Sequence, residues 1–148
     1  SSTPVFFMGG KPGIAEAAAE KMCEKYPSLV IAGTHDGYFK KSSEENDAVI
    51  DEINRSGAKI LFVCLGAPAQ EKWIYENRAS LPGVRLFMGL GGSLDIYSGT
   101  SERAPAFFCK TGLEWFYRLI REPWRIGRMM NLPKFYFGTL WYKLRGGK

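Results

Sequence analysis

Six apolar residues in a row, Ile60-Leu61-Phe62-Val63-Cys64-Leu65, lie between Gly57 and the turn residues Gly66-Ala67-Pro68. A strand with one wet face alternates apolar with polar residues. An unbroken apolar run of this length, bounded by turn signals, is what a strand covered on both faces requires. It predicts the central strand of a parallel sheet held between helices. The flanking sequence repeats the pattern. Val5 to Met8 is a short apolar run ending in Gly9-Gly10, followed by Pro12 and the alanine-rich stretch Ile14 to Lys25. That reads as strand, tight turn and helix, with the proline near the first helical turn, where its missing N–H costs nothing. Leu29 to Ala32 reads as a second strand stopped at Gly33. Ser42 or Ser43 can cap a helix that runs to Arg55 and ends at Gly57. A further helix is expected from about Ala69 to Arg78, and a strand from Val84 to Met88, closed by Gly89, Gly91 and Gly92. Strand–helix alternation at this spacing predicts an α/β fold, a Rossmann-like parallel sheet with flanking helices, over residues 1–102. From about Arg103 the strand signal stops. Leu113, Phe116, Tyr117 and Ile120 recur at helical spacing, and Pro123 and Pro133 divide the rest of the chain. Residues 103–148 are expected to form a helical appendage of two or three short helices.

Charge divides the chain at the same place. Residues 1–102 carry ten Lys/Arg against thirteen Asp/Glu, and residues 103–148 carry ten against two. A basic C-terminal third on a mildly acidic body implies an anionic partner, whether phosphate, lipid or nucleic acid. A chain of 148 residues that is 45% hydrophobic and 24% charged can bury its own core, which excludes a disordered chain. Cys23, Cys64 and Cys109 are odd in number and widely spaced, so they read as small apolar residues in a reducing compartment. No metal motif is present, since no cysteine pair has ligand spacing and His35 stands alone. No apolar run reaches the length of about 18 residues that a bilayer span needs, and no signal peptide is visible, which favours the cytoplasm. Ser1-Ser2-Thr3 leads straight into a strand without an initiator Met, as in a piece of a longer protein.

In an open parallel sheet, ligands bind outside the carboxyl ends of the strands. Three glycine-bearing turns fall there: Gly9-Gly10-Lys11-Pro12-Gly13, Gly66-Ala67-Pro68-Ala69-Gln70-Glu71 and Gly89-Leu90-Gly91-Gly92-Ser93-Leu94-Asp95. Glycine lets backbone N–H groups approach phosphate oxygens, and helix N-termini add a favourable dipole. Gln70 and Ser93 have the chemistry to orient a phosphate or sugar, and Asp95 to accept hydrogen bonds from ribose or a base edge. A plainer account is that glycines merely end strands. None of the three turns fits the dinucleotide or P-loop pattern. Gly33-Thr34-His35-Asp36-Gly37-Tyr38 is expected to form a turn after the second strand. His35 beside Asp36 has the composition of an acid/base pair, although sequence neighbours rarely face each other; otherwise this is a polar turn lining the crevice.

In the basic third, Arg118, Arg121, Arg125 and Arg128 recur at spacings that place them on one helix face. A row of guanidinium groups suits phosphate. The interleaved rings of Trp115, Phe116, Tyr117, Trp124, Phe135, Tyr136, Phe137, Trp141 and Tyr142 suit a helix lying in a membrane interface. Core or oligomer packing is the main competing reading. Nucleic acid is disfavoured, because no recognition motif is present and the segment is too apolar for a groove that tracks phosphates.

Read in order, several motifs resemble one family. They are Gly9-Gly10-Lys11-Pro12-Gly13-Ile14-Ala15-Glu16, Tyr26-Pro27, Gly33 to Phe39, Gly66-Ala67-Pro68-Ala69-Gln70-Glu71-Lys72-Trp73-Ile74, Gly89 to Asp95, Arg103-Ala104-Pro105 and Gly112 to Pro123. Together they resemble the WecG/TagA/CpsF family, glycosyltransferase family 26, across nearly all of residues 5–140. The resemblance implies inverting transfer of a sugar, N-acetylmannosamine or a related hexose, from a UDP-sugar to a polyprenyl-diphosphate-linked acceptor. The reaction would take place on the inner face of the cytoplasmic membrane, in teichoic acid or surface polysaccharide synthesis, with no cofactor and no nucleic acid partner; a homo-oligomer is compatible with it. It implies a donor site drawn from Gly9, Gly10, Thr34, His35, Gly37, Tyr38, Gly66, Pro68, Gln70, Glu71, Gly91, Gly92, Ser93, Asp95, Arg103 and Arg125. Arg118, Arg121 and Gln70 would carry catalysis, the arginines by stabilising diphosphate charge on the departing UDP. Family members carry a further segment before the equivalent of Val5, which holds the aspartate expected to act as general base. The 148 residues alone are therefore expected to show little transferase activity. The competing function is a non-catalytic module that binds nucleotide and membrane.

Overall fold

The computed structural model describes residues 3–41, 43–101, 105–111, 117, 120, 139 and 141–143. The chain divides into two compact units, Ser1–Glu102 and Arg103–Lys148. The first unit runs β1 (Val5–Gly9), α1 (Ile14–Lys25), β2 (Ile31–His35), α2 (Glu44–Ser56), β3 (Ile60–Cys64), α3 (Ala69–Asn77), β4 (Leu86–Gly89) and α4 (Ser93–Tyr97), with one 3-10 turn at Arg78–Ser80. The four strands form one parallel sheet in the order β2-β1-β3-β4. This is the α/β architecture expected from the sequence. The second unit contributes α5 (Ala106–Lys110), and the helices expected beyond it lie largely outside the described residues.

The layers follow from the strand order. The chain steps from β1 to β2 in one direction, then crosses back over β1 to β3 and continues to β4. Parallel crossovers keep a single hand, so reversing the direction of travel moves the helices to the opposite face. The packing agrees. Phe6, Met8, Leu61 and Val63 join Val49, Ile50 and Ile53 of α2 and Trp73 of α3 in one buried cluster. Val5, Phe7 and Cys64 join Ile14, Ala15, Ala18 and Ala19 of α1 and Leu94 of α4 in the other. The period-2 alternation along β1 thus sends even residues to one layer and odd residues to the other. All five residues of β1 are buried, which explains why that strand carries no polar side chain. The buried alanines of α1 leave little between helix and sheet, and the stacked rings of Phe7 and Phe62, 5.6 Å apart, fill the same layer.

Several boundaries differ from the sequence reading. Strand β2 does not stop at Gly33 but runs through it to His35. Gly33 pairs with Phe6 on β1, and a Cβ placed there would stand 2.6 Å from Cε2 of the Phe6 ring. That glycine marks a close approach inside a strand and not an end. The last strand begins two residues later than expected, at Leu86, and the turn after it passes into a short helix, α4, already at Ser93. Ser43 occupies the N-cap position of α2 with extended backbone, yet its hydroxyl donates to the Lys40 carbonyl at 3.0 Å and caps nothing. Ser42 lies outside the described residues. The other end of α2 is as expected: Gly57 closes it at φ 70°, its N–H donating to Asn54 O at 3.3 Å.

α2 and α3 are also joined by a buried polar network. The Trp73 indole N–H donates to Asn46 Oδ1 at 2.7 Å, Asn46 Nδ2 donates to Asn77 Oδ1 at 2.9 Å, and Asn77 Nδ2 donates to the Trp73 carbonyl at 2.8 Å. Removing the central member strands an indole N–H and an amide oxygen away from water. Asn46→Ala is expected to destabilise the protein by about 2 kcal/mol in urea unfolding followed by tryptophan fluorescence, the cost of unsatisfied buried groups. A change below about 0.5 kcal/mol would mean the network contributes no more than an exposed polar contact does.

Candidate functional site

The reversal of direction falls between β1 and β3, which are adjacent in the sheet but depart to opposite sides. At such a point the loops leaving two neighbouring strands diverge and open a crevice at the carboxyl ends. Here the two strand ends are tightly apposed. Gly9 lies beside Cys64 in register, and a Cβ on Gly9 would fall 2.4 Å from the Cys64 carbonyl oxygen. Gly9, Gly10 and Gly13 all have positive φ, at 132°, 79° and 83°, so the β1–α1 turn follows a path that other residues rarely adopt.

The loop after β2 joins the same place. Gly37 N–H donates to Gly10 O at 2.9 Å, and a Cβ on Gly37 would approach Leu65 Cδ2 at 3.1 Å. The loop after β4 is held through Gln70, in the first turn of α3. Its Oε1 accepts from Gly91 N–H at 2.9 Å, and its Nε2 donates to Glu71 Oε1 at 2.7 Å. Gly66, at φ 76°, leads from β3 towards α3, its carbonyl accepting from Gln70 N–H at 3.0 Å, with Pro68 at the N-cap. The loops after all four strands are therefore linked around Gly9, Gly10, Gly37, Gly66, Gln70 and Gly91.

Other residues chosen from the sequence stand elsewhere or are already engaged. His35 and Thr34 belong to β2 and not to the turn, and as strand neighbours they face opposite layers. Thr34 Oγ1 donates to Glu16 of α1 at 3.4 Å, while His35 Nε2 lies 3.9 Å from Glu52 Oε2 of α2. His35 and Asp36 do not form an acid/base pair through their side chains. His35 Nδ1 sits 2.7 Å from the Asp36 carbonyl oxygen, which can only accept, so Nδ1 carries a proton. The Asp36 carboxylate instead accepts from Tyr38 N–H at 2.7 Å, closing its own turn. His35, Asp36, Tyr38, Phe39, Glu45, Val49 and Glu52 line an open cleft of about 300 Å³ between the end of β2 and α2. Ser93 Oγ donates to Leu90 O at 2.7 Å and so braces its own loop, next to Gly92 at the start of α4. Asp95 lies half-buried in α4, and Glu71 is exposed. Arg103, Arg118, Arg121 and Arg125 lie outside the described residues.

Cys64 ends β3 directly beneath α4. Burial pushes its thiol up to about 11, the Asp95 charge adds to the shift, and backbone N–H groups at Leu94, Ser93 and Leu90 oppose it. Raised in this way the group is held as a neutral thiol, and it packs with Val5, Phe7, Ile14 and Leu94. Sequence reading also passed over two bracing residues. Lys21 Nζ donates to Ser98 O at 2.7 Å, tying α1 to the end of α4, and Glu52 faces His35. A lysine in a helix and a glutamate on a wet face carry no local signal of such partners. Among the described residues no three His, Cys, Asp or Glu side chains gather to hold a metal ion.

A doubly wound α/β unit with strand-end loops joined at its switch point has the architecture of the open α/β proteins, a class whose ligands bind outside the carboxyl ends of the strands. Similarity to known proteins narrows this. The family model described as "Glycosyl transferase WecG/TagA/CpsF family" matches residues 1–148, and the chain belongs to that family. It is 40% identical over 131 residues to a Bacillus subtilis (strain 168) protein named N-acetylglucosaminyldiphosphoundecaprenol N-acetyl-beta-D-mannosaminyltransferase. That match covers 88% of this chain and 49% of the relative, so the chain spans about half the relative's length.

Two glycines in one turn give a direct test of the geometry. Gly9→Ala meets backbone at 2.4 Å, whereas Gly13→Ala meets nothing within 4 Å. Gly13→Ala should cost only the local conformational strain, about 1–2 kcal/mol. Gly9→Ala must part β1 from β3 and should cost at least twice as much in urea unfolding. Equal costs would show that the close approach does not constrain the sheet.

Proposed function

We propose that this chain supplies the donor-binding and membrane-facing part of an inverting glycosyltransferase. The enzyme passes N-acetylmannosamine or a related hexose from a UDP-sugar to a polyprenyl-diphosphate-linked acceptor on the inner face of the cytoplasmic membrane. The observation that carries the reading is the joining of four strand-end loops at the β1/β3 switch point, in a member of this transferase family. The relative's name supports the acceptor class and the sugar.

On this reading the diphosphate of UDP lies against the N–H groups of the glycine turns and the start of α1. Asp95 accepts from the ribose or the base. Arg118, Arg121 and Arg125 are the cations proposed to stabilise the charge that grows on UDP as the sugar leaves. No metal is required for that step, because the arginines do the work of a cation. The second unit supports contact with a membrane surface. It carries ten Lys/Arg against two Asp/Glu, and Phe107, Ile120, Trp141 and Tyr142 are exposed. The association proposed is peripheral; among the described residues no helix is long and apolar enough to cross a membrane.

Calorimetric titration of the chain with UDP should show saturable binding, and Asp95→Ala should weaken it about tenfold, as for one lost charge-assisted hydrogen bond. Absence of heat with the unaltered chain would sink the donor-site reading. In sedimentation with anionic phospholipid vesicles, the chain should pellet, and removal of residues 112–148 should leave it in the supernatant. Equal pelleting of both forms would refute the membrane role of the appendage.

A further inference from the structure

Gln70 has the residue type of a ligand contact, and its place in the crevice invites that assignment. Its surroundings point elsewhere. The residue is 5% exposed, and both ends of its amide are in use: Oε1 accepts from Gly91 N–H at 2.9 Å and Nε2 donates to Glu71 Oε1 at 2.7 Å. The amide also lies close against β4, for a Cβ on Gly89 would stand 2.5 Å from Nε2 and 2.9 Å from Cδ. Gln70 thus reaches from the first turn of α3 over the end of β4 and grips the loop that leads into α4. Leu90 in the same loop has its own bonds, its N–H donating to Val63 O at 2.9 Å and its carbonyl accepting from Ser93 Oγ at 2.7 Å, but the Gly91 N–H rests on Gln70. Gly91 sits at φ 57° with nothing near its Cβ position, and two glycines in succession leave the backbone free to take many paths.

We propose that Gln70 is a positioning residue: it sets the Gly89–Gly92 loop and the start of α4, and with them Asp95 and the Glu71 carboxylate, without itself touching the donor. This rests on the donor-site reading above for what the loop binds, but not for what Gln70 holds. Gln70 is a side-chain link between two parts of the site, α3 after β3 and the loop that leads from β4 into α4. The side chain that couples them also explains why position 89 is glycine although its φ lies outside the left-handed region: any side chain there displaces the amide.

Two variants approach this from opposite sides. Gln70→Met keeps the length and removes both hydrogen bonds. Gly89→Ala keeps the amide but pushes it off its position. Amide hydrogen exchange of Gly91, measured by NMR on the full chain without nucleotide, should accelerate at least about tenfold in each, as for the loss of one hydrogen bond. The double variant should be no faster than the faster single, because both changes break the same contact. UDP affinity by calorimetry should fall in parallel in both. Unchanged Gly91 exchange alongside weaker UDP binding in Gln70→Met would overturn the proposal in favour of direct contact. Faster exchange with unchanged UDP affinity would overturn the claim that the loop serves the site. Failure of the unaltered chain to bind UDP would remove the donor reading alone, since Gly91 exchange would still decide whether Gln70 holds the loop. Should Gln70→Met not fold, Gly89→Ala carries the same comparison.

Discussion

The first unit is organised around the approach of the carboxyl ends of β1 and β3, where the Gly9 Cα and the Cys64 carbonyl leave no room for a side chain. β1 is hydrogen-bonded on both sides and buried along its whole length, so it has no freedom to tilt away. The direction of chain travel reverses across this pair, which assigns α1 and α4 to one face and α2 and α3 to the other. It also gathers the strand-end loops at one edge. The fold and the crevice have a common origin in that contact. A change that parts the two strands would disturb both hydrophobic layers as well as the loops above them.

How much of this the residues disclose in advance depends on whether the information is local. Ile60 to Leu65 and Val5 to Met8 announce buried strands because continuous apolar character is local, and Gly57 ends α2 because a left-handed cap needs glycine at that position. Gly33 misleads because one residue type serves different purposes. Gly13 and Gly57 supply a positive φ, Gly9 both a positive φ and a close approach, and Gly33 only the approach, to the ring of Phe6 on the neighbouring strand. The sequence shows a glycine in each case and the partner in none. Ser43 fails as a side-chain cap for a related reason, since its hydroxyl finds the Lys40 carbonyl first.

The strand-end loops obey the same rule. That they would gather at one edge of the sheet was legible, because crevices in parallel sheets follow from topology, and topology follows from the strand–helix alternation. The duties of individual side chains were not. Ser93, Thr34 and Gln70 are all of ligand-binding type, yet each already has a protein partner, in Leu90, Glu16 and the Gly91–Glu71 pair. The strand-end turns also offer backbone N–H groups, and backbone groups leave no mark in a residue's chemistry except the glycine that makes room for them.

That division bears on how an anionic donor is held. Residues 1–102 carry a net charge of −3, so long-range attraction by this unit cannot draw a diphosphate to it. Short-range N–H groups and the dipole of α1 act over a few ångströms and can fix a phosphate already present, but they add no full positive charge to offset what develops when a nucleoside diphosphate departs. On the reading proposed above, guanidinium groups supply that charge, and residues 103–148 hold six of the nine arginines in the chain. The same residues include Phe107, Trp141 and Tyr142, exposed rings of a kind suited to a lipid surface. On that reading, recognition by strand-end backbone groups and charge stabilisation by a basic segment are separate properties, and the proposed enzyme has full electrostatic assistance only at the membrane that holds the proposed lipid-linked acceptor.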